Sequence, residues 1–310
     1  MSYERISVRD VRGLILNRLA SPTLLPWVAA NSMYVTSDQA SEKYPWLGRA
    51  PLLREMIGGR QVKALRDFGI EIANLEFEST LGIHDKDMRR DKIGQIMPRV
   101  NEMADQAERH WATLISLLIN AGHQATCYDG QFFFDTDHVD GNSGSLSNDL
   151  TKAIVAAATP TVVEFQDTIL AIIEAFYGFK DDNGEPINDD ISEVQIMVPV
   201  NYIGIAQKAV ANPVTSGGET NPLQNLSGGL SVNVVANARL TAADAIFGFA
   251  TSGEIKPFIR QEEVPPEPSV LTEGSDHFFK TREHLFGLYA SRNAGYGLWQ
   301  RAIRMQLTTA

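Results

Sequence analysis

The chain has 310 residues, enough for one large domain or two modest ones around a sizeable core. Its apolar fraction of 44% and charged fraction of 21% are those of a folded globular protein and exclude global disorder. A formal net charge of −11 with no basic patch argues against a surface that grips nucleic-acid phosphates, no apolar run reaches the roughly 20 residues that span a bilayer, and the single cysteine, Cys127, precludes an intrachain disulfide and suits a reducing cytoplasm.

From Met1 to Ala20, charges at Arg5, Arg9, Asp10, Arg12 and Arg18 interrupt the aliphatics. That pattern predicts an amphipathic helix rather than a signal peptide, with Ile6, Val8, Val11, Leu14, Ile15, Leu16 and Leu19 on its buried side. Irregular chain with Pro22 and Pro26 follows. Arg60 to Arg66 reads as a strand and Asp67-Phe68-Gly69 as a turn. Ile70 and Ile72 then alternate with Glu71 and Ala73, and the phase slips at Asn74, after which Leu75, Phe77, Leu81 and Ile83 take the apolar side. Such a hairpin is marginal without a cover, and the nearby sequence supplies none.

Pro98 suits the first turn of a long helix. Val100, Met103, Ala104, Ala107, Trp111, Leu114, Ile115, Leu118 and Ala121 recur at helical steps, and Gly122 is the expected stop. The stripe reads as a core face, not a cofactor box. Leu150 to Tyr177 is a second helix-like run interrupted at Pro160. Val194–Val200, Leu230–Ala236 and Ala245–Ala250 read as strands, and Thr215–Gly229 as a loop lacking the Gly-Lys-Ser/Thr ending of a phosphate cradle. Val264-Pro265-Pro266-Glu267-Pro268 is expected to be a stiff linker. His284–Ala290 and Leu298–Met305 are expected to pair as a hairpin around Asn293-Ala294-Gly295.

Two stretches carry possible chemistry. In the block from Cys127 to His138, the side chains of Asp135, Asp137 and His138 offer ligands for a divalent metal, as a hydrolase would need. A strand would throw His138 to the opposite side from the two aspartates, so the plainer reading is a polar strand end beyond the Phe132-Phe133-Phe134 plug. Cys127 with His123 or His110 is a weaker nucleophile reading, since a lone cysteine there is usually a small buried hydrophobe. The run from Glu76 to Lys92 alternates in sign and reads either as a solvated turn or as charge complementarity across a subunit contact, shared with Arg54, Glu55, Arg60 and Lys63.

Several stretches match one family in order and spacing. They are Tyr44-Pro45-Trp46-Leu47-Gly48, Pro51 with Arg54-Glu55, Gly58-Gly59-Arg60, Asn74-Leu75-Glu76-Phe77-Glu78-Ser79-Thr80, the Cys127–His138 block, Phe286-Gly287, and Arg292-Asn293-Ala294-Gly295-Tyr296-Gly297-Leu298-Trp299-Gln300. The chain resembles the major head (capsid) subunit of Mu-like phages, the gene product T family. Met56 departs from it, standing where the family usually has tryptophan, and the first 44 residues match poorly.

The resemblance implies an α+β tailed-phage major capsid fold of the Hong Kong ninety-seven type. Its parts would be an N-terminal arm (1–44), an extended hairpin loop (45–90), a peripheral domain with a long spine helix (91–150 and 262–310) and an axial domain (151–261). It implies a non-enzymatic shell subunit forming hexamers and pentamers around double-stranded DNA, with no cofactor, metal or membrane. Partners implied are copies of itself, a scaffolding protein, a maturation protease and a portal, with assembly in the bacterial cytoplasm and residence in the virion. The hairpin and its flanks, Arg54, Glu55, Arg60, Lys63, Ile70, Ile72, Leu75, Phe77, Arg89 and Arg90, are the expected subunit interface. The alternatives are a related shell enclosing enzyme cargo and the metal-dependent hydrolase.

Overall fold

A computed structural model describes residues 7–20, 24–44, 69–90, 94–214 and 218–310. The N-terminal helix is α1 (Val8–Leu19), closed by a reciprocal cap in which Ser7 accepts from the Asp10 backbone and Asp10 accepts from Ser7. Its Val11 and Ile15 are fully buried, as the periodicity predicts. The chain continues through α2 (Pro26–Asn31), β1 (Ser32–Thr36), β2 (Ser41–Tyr44), β3 (Ile70–Ala73), β4 (Leu75–His84), α3 (Asp85–Arg90) and the long α4 (Ile96–Ala121). Then come β5 (His138–Val139), β6 (Ser145–Leu146), β7 (Asp149–Ile154), α5 (Val162–Gly178), β8 (Glu193–Val198), α6 (Ile203–Ala211), β9 (Ser231–Ala236) and β10 (Ala245–Ala250). The last elements are β11 (Phe258–Leu271), α7 (Asp276–Thr281), β12 (Glu283–Tyr296) and β13 (Ala302–Thr309). No helix among the described residues is long and apolar enough to cross a membrane.

Two sheets organise the molecule. The first has the order β1-β11-β12-β4, with β1 parallel to β11 and the other pairs antiparallel. The second has the order β7-β13-β10-β8-β9. Its β8 and β9 run parallel because α6 carries the crossover between them. α5 lies on this second sheet and buries Phe165, Ile169, Ile172, Ile173 and Phe176. Gly248 of β10 lets it come close, since a Cβ there would sit 2.4 Å from Ile172 Cγ2. α4, 26 residues or about 39 Å long, packs on the first sheet and α1. It buries Val100, Met103, Ala104, Trp111, Leu114 and Ile115, the stripe read from the sequence.

The Arg60–Arg66 strand lies outside the described residues; among those described, β3 pairs with β2, and β4 pairs along its whole length with β12. Three other expectations fail, each to a long-range contact. His284–Ala290 does not turn at Asn293-Ala294-Gly295 but runs on as β12 to Tyr296, and β13 joins the other sheet. The proline-rich linker is a strand, since Pro265, Pro266 and Pro268 all lie in β11. They are tolerated because β1 pairs only with Phe258–Glu262, so that beyond Glu262 one edge of β11 meets no strand among the described residues. The first part of the Leu150–Tyr177 helix is instead β7, held parallel to β13.

Candidate assembly surface and the Asp129–His138 cluster

The hairpin expectation is best judged residue by residue. Ile72 is only 4% exposed and packs with Tyr44 and Ile259 of its own chain. Ile70 is half-buried against the same cluster. Ile70 and Ile72 are therefore packed within the subunit, contrary to the idea that this part of the hairpin has no intrachain cover. Leu75 and Phe77 share one face of β4. Leu75 is exposed, whereas Phe77 is half-buried edge-on to His110 of α4, with ring centroids 4.3 Å apart. Arg89 and Arg90 are exposed at the far end of β4, and Arg89 is bound to Asp85 at 2.5 Å. Arg54, Glu55, Arg60 and Lys63 lie outside the described residues.

Phe77, Met103, His110, Pro266, Leu288 and Arg292 line a surface hollow of about 190 Å³ between β4, α4 and β12. Arg292 forms its floor, almost fully buried, with the guanidinium over the Trp111 ring at 4.8 Å and a hydrogen bond to the Ala107 carbonyl. Arg260 lies over Trp111 at 5.6 Å, and Glu262, which accepts from Tyr34 at 2.6 Å, sits 3.6 Å from Arg292. Burial and the Arg292 charge push the His110 pKa down to about 4, so this ring is neutral at neutral pH. The sequence reading missed this group, although Arg260 and Glu262, two residues apart and so on one face of a strand, were the available signal.

The Cys127–His138 block closes a tight turn in which Cys127 N–H donates to Gln131 O at 2.8 Å and Gly130 adopts φ 87°. That turn brings Asp129 back over the block. Asp129 Oδ2 lies 2.7 Å from His138 Nδ1, and Oδ1 accepts from the Cys127 thiol at 3.0 Å and from Gln131 N–H at 3.1 Å. His138 is fully buried and stacks on Trp299 with centroids 3.9 Å apart and planes 9° apart.

Asp135 and Asp137 do not converge on His138. Asp135 accepts from the Phe132 and Thr136 backbone, and Asp137 is exposed. The expected metal trio is thus not formed. Among the described residues, the side chains that do gather are Cys127, Asp129 and His138, with ligand atoms within 4.8 Å, linked by direct hydrogen bonds through Asp129. Burial and the Asp129 charge raise the Cys127 pKa far above the thiol range, which argues against a nucleophilic thiolate there. Burial also acts on Asp129, but hydrogen bonds from His138 and Cys127 outweigh it and hold the carboxyl below its ordinary value.

Residues 23–160 and 226–309 match the family profile described as the Mu-like prophage major head subunit gpT. The chain belongs to this family. The matched residues of the head-subunit family take in the whole first sheet, every strand of the second sheet except β8, α4 and the whole Asp129–His138 cluster. The chain is 29% identical over 281 residues to the major capsid protein of Escherichia phage Mu, covering 89% of this chain and 65% of that protein. It is 26% identical over 269 residues to the Mu-like prophage FluMu major head subunit of Haemophilus influenzae, covering 86% of this chain and 62% of that one. The chain thus spans slightly less than two thirds of these relatives.

Solved structures place the same family fold among capsid proteins. The procapsid of bacteriophage JBD30 matches with a TM-score of 0.56 at 24% identity, over 97% of this chain and 73% of that one. The JBD30 capsid decorated with minor capsid protein trimers matches at 0.55 and 25% identity, over 71% and 92%. A virus-like particle from Pyrococcus furiosus matches at 0.52 over 96% and 98% with only 8% identity, a likeness of fold alone. The fold is therefore the tailed-phage capsid type, α+β, as the sequence resemblance implies.

Proposed function

We propose that this chain is a major capsid subunit that self-assembles into the hexamers and pentamers of an icosahedral head around double-stranded DNA, without catalytic activity. The observation that carries the reading is the family match, which spans the first sheet, most strands of the second and the long helix rather than one motif. On this reading residues 1–44 are the arm, 45–90 the extended loop, 91–150 with 262–310 the peripheral domain, and 151–261 the axial domain. Leu75, the exposed member of the expected interface on β4, and Phe77 at the rim of the hollow present the apolar part of a subunit contact. Arg89 and Arg90, with Arg54, Glu55, Arg60, Lys63 and Ile70, supply its charged and flanking parts. The net charge of −11 suits a shell lining that repels packaged DNA and leaves it free to exit.

Scaffolding, protease and portal partners, residence in the virion and assembly in the host cytoplasm belong to the same reading. Each contact need bury only roughly 1,500 Å², since every subunit in a closed shell holds several at once. Electron microscopy of the purified protein tests it. Closed shells or capsomers are expected, and native particles should contain nucleic acid. A small discrete oligomer, or shells filled with an enzyme instead, would overturn it.

A further inference from the structure

The hollow between β4, α4 and β12 has more hydrogen-bonding capacity at its floor than the subunit satisfies. Arg292 is 2% exposed, and its Nη2 donates to the Ala107 carbonyl. Its Nε and Nη1 are buried and have no hydrogen-bond partner. Glu262 Oε1 stands 3.6 Å from Nη1, near enough to balance charge and too far for a hydrogen bond. His110 lines the same hollow, and its Nδ1 is buried and unpartnered as well. Orphaned polar atoms cost stability, most of all on a charged group, and native structures keep few of them. Two neighbouring residues with such atoms in one hollow point to an acceptor supplied from outside.

The walls indicate what carries that acceptor. Phe77, Met103, Pro266 and Leu288 are apolar, and the roughly 190 Å³ between them accommodates a short aliphatic stem. Met103 is unbranched and adaptable, so it yields to an entering group. The charges favour an anionic tip. Arg260 and Arg292 both lie over Trp111 and face the acids Glu262 and Glu108. Glu262 already accepts from Tyr34, and burial pushes the Glu108 carboxyl above its ordinary value. A carboxylate accepts from several donors at once, and its bonds to a guanidinium are among the strong ones. The neutral His110 ring adds a donor in the tautomer with its proton on Nδ1.

We propose that this hollow is a receptor for a carboxylate on a short apolar stem, a glutamate side chain of a second copy of the chain, gripped by Arg292 and His110. The second copy as occupant rests on the capsid reading above, and two observations favour it. The chain carries 38 Asp and Glu against 27 Lys and Arg, so another copy brings carboxylates to any contact. Phe77 at the rim and the exposed Leu75 on the same face of β4 continue the hollow into the proposed subunit contact. Receptor and occupant are different parts of the chain, so the contact is heterologous, the kind that closes into rings.

¹⁵N-arginine protein tests the receptor in the dispersed subunit. The Nε–H signal that is lost in Arg292→Lys should shift saturably with isovalerate and stay still with isoamylammonium. Ala107→Leu fills the hollow and keeps Arg292, so it should abolish the shift. The same variant should raise the protein concentration needed for assembly about tenfold, as loss of a buried hot spot does. Isovalerate should raise it for wild type. If Ala107→Leu does not fold, the wild-type measurements decide. An Nε–H signal unmoved by isovalerate would overturn the receptor. Bound isovalerate with undiminished assembly would overturn the second copy as its occupant. A wild type that binds isovalerate and never assembles would instead count against the capsid reading.

Discussion

Replacing Gly295 with alanine tests whether β3 truly lies on its own subunit. A Cβ at residue 295 would meet Ile72 Cδ1 at 2.3 Å and Cγ1 at 2.6 Å, well inside the roughly 3.5–4.0 Å of ordinary carbon contact. Ile72 has little room to move, being 4% exposed between Tyr44 and Ile259. Gly295→Ala should therefore cost about 1–3 kcal/mol of stability by overpacking. Ile72→Ala removes both clashing atoms and should by itself cost about 2–5 kcal/mol. The double variant places the new methyl in the space left by Ile72, so its loss should fall short of the sum by about 0.5–3 kcal/mol. Urea unfolding of the dispersed subunit measures all three. Additive losses, or a neutral Gly295→Ala, would mean that Ile72 does not rest on β12 in solution and that the ribbon projects after all.

Phe133, fully buried and stacked on Tyr296 with centroids 4.5 Å apart, should cost about 3–5 kcal/mol when changed to alanine, read as a lowered denaturant midpoint. His110 binds a proton only near pH 4 in the folded chain, whereas an unfolded histidine binds one from about pH 6.5 downward. Stability should thus fall as pH drops through that window, and His110→Phe should flatten that part of a melting-temperature profile. Cys127 should resist alkylation in the native subunit and react at once on unfolding; rapid labelling of folded protein would refute its buried, protonated state.

Much of the framework was legible because it depends on local periodicity. The α4 stripe, the buried face of α1, and the strands β8, β9 and β10 follow from spacing alone. The errors came where a distant partner outvoted a local signal. Asn293-Ala294-Gly295 spells a turn, yet Asn293 donates to the Ala73 carbonyl at 2.7 Å and Gly295 makes room for Ile72. Three prolines spell a linker, yet they extend a strand that, there, is paired on one side only among the described residues. In the Cys127–His138 block the right histidine was singled out with the wrong aspartates. Asp129 lies nine residues earlier and arrives only through the Gly130 turn. Arg292 was part of the recognised pattern, but its seat on Trp111 depends on β12 crossing α4 and no spacing reveals it.

The two borders of the first sheet bear on how copies of this chain meet. Along β11 the rim past Glu262 carries Pro265, Pro266 and Pro268, which lack amide protons to offer. Along β4 the rim carries Glu76 and Glu78, which repel a like neighbour. Among the described residues, neither border invites a foreign strand to zip on. In a head subunit of the proposed kind, that steers crowded copies away from fibrils.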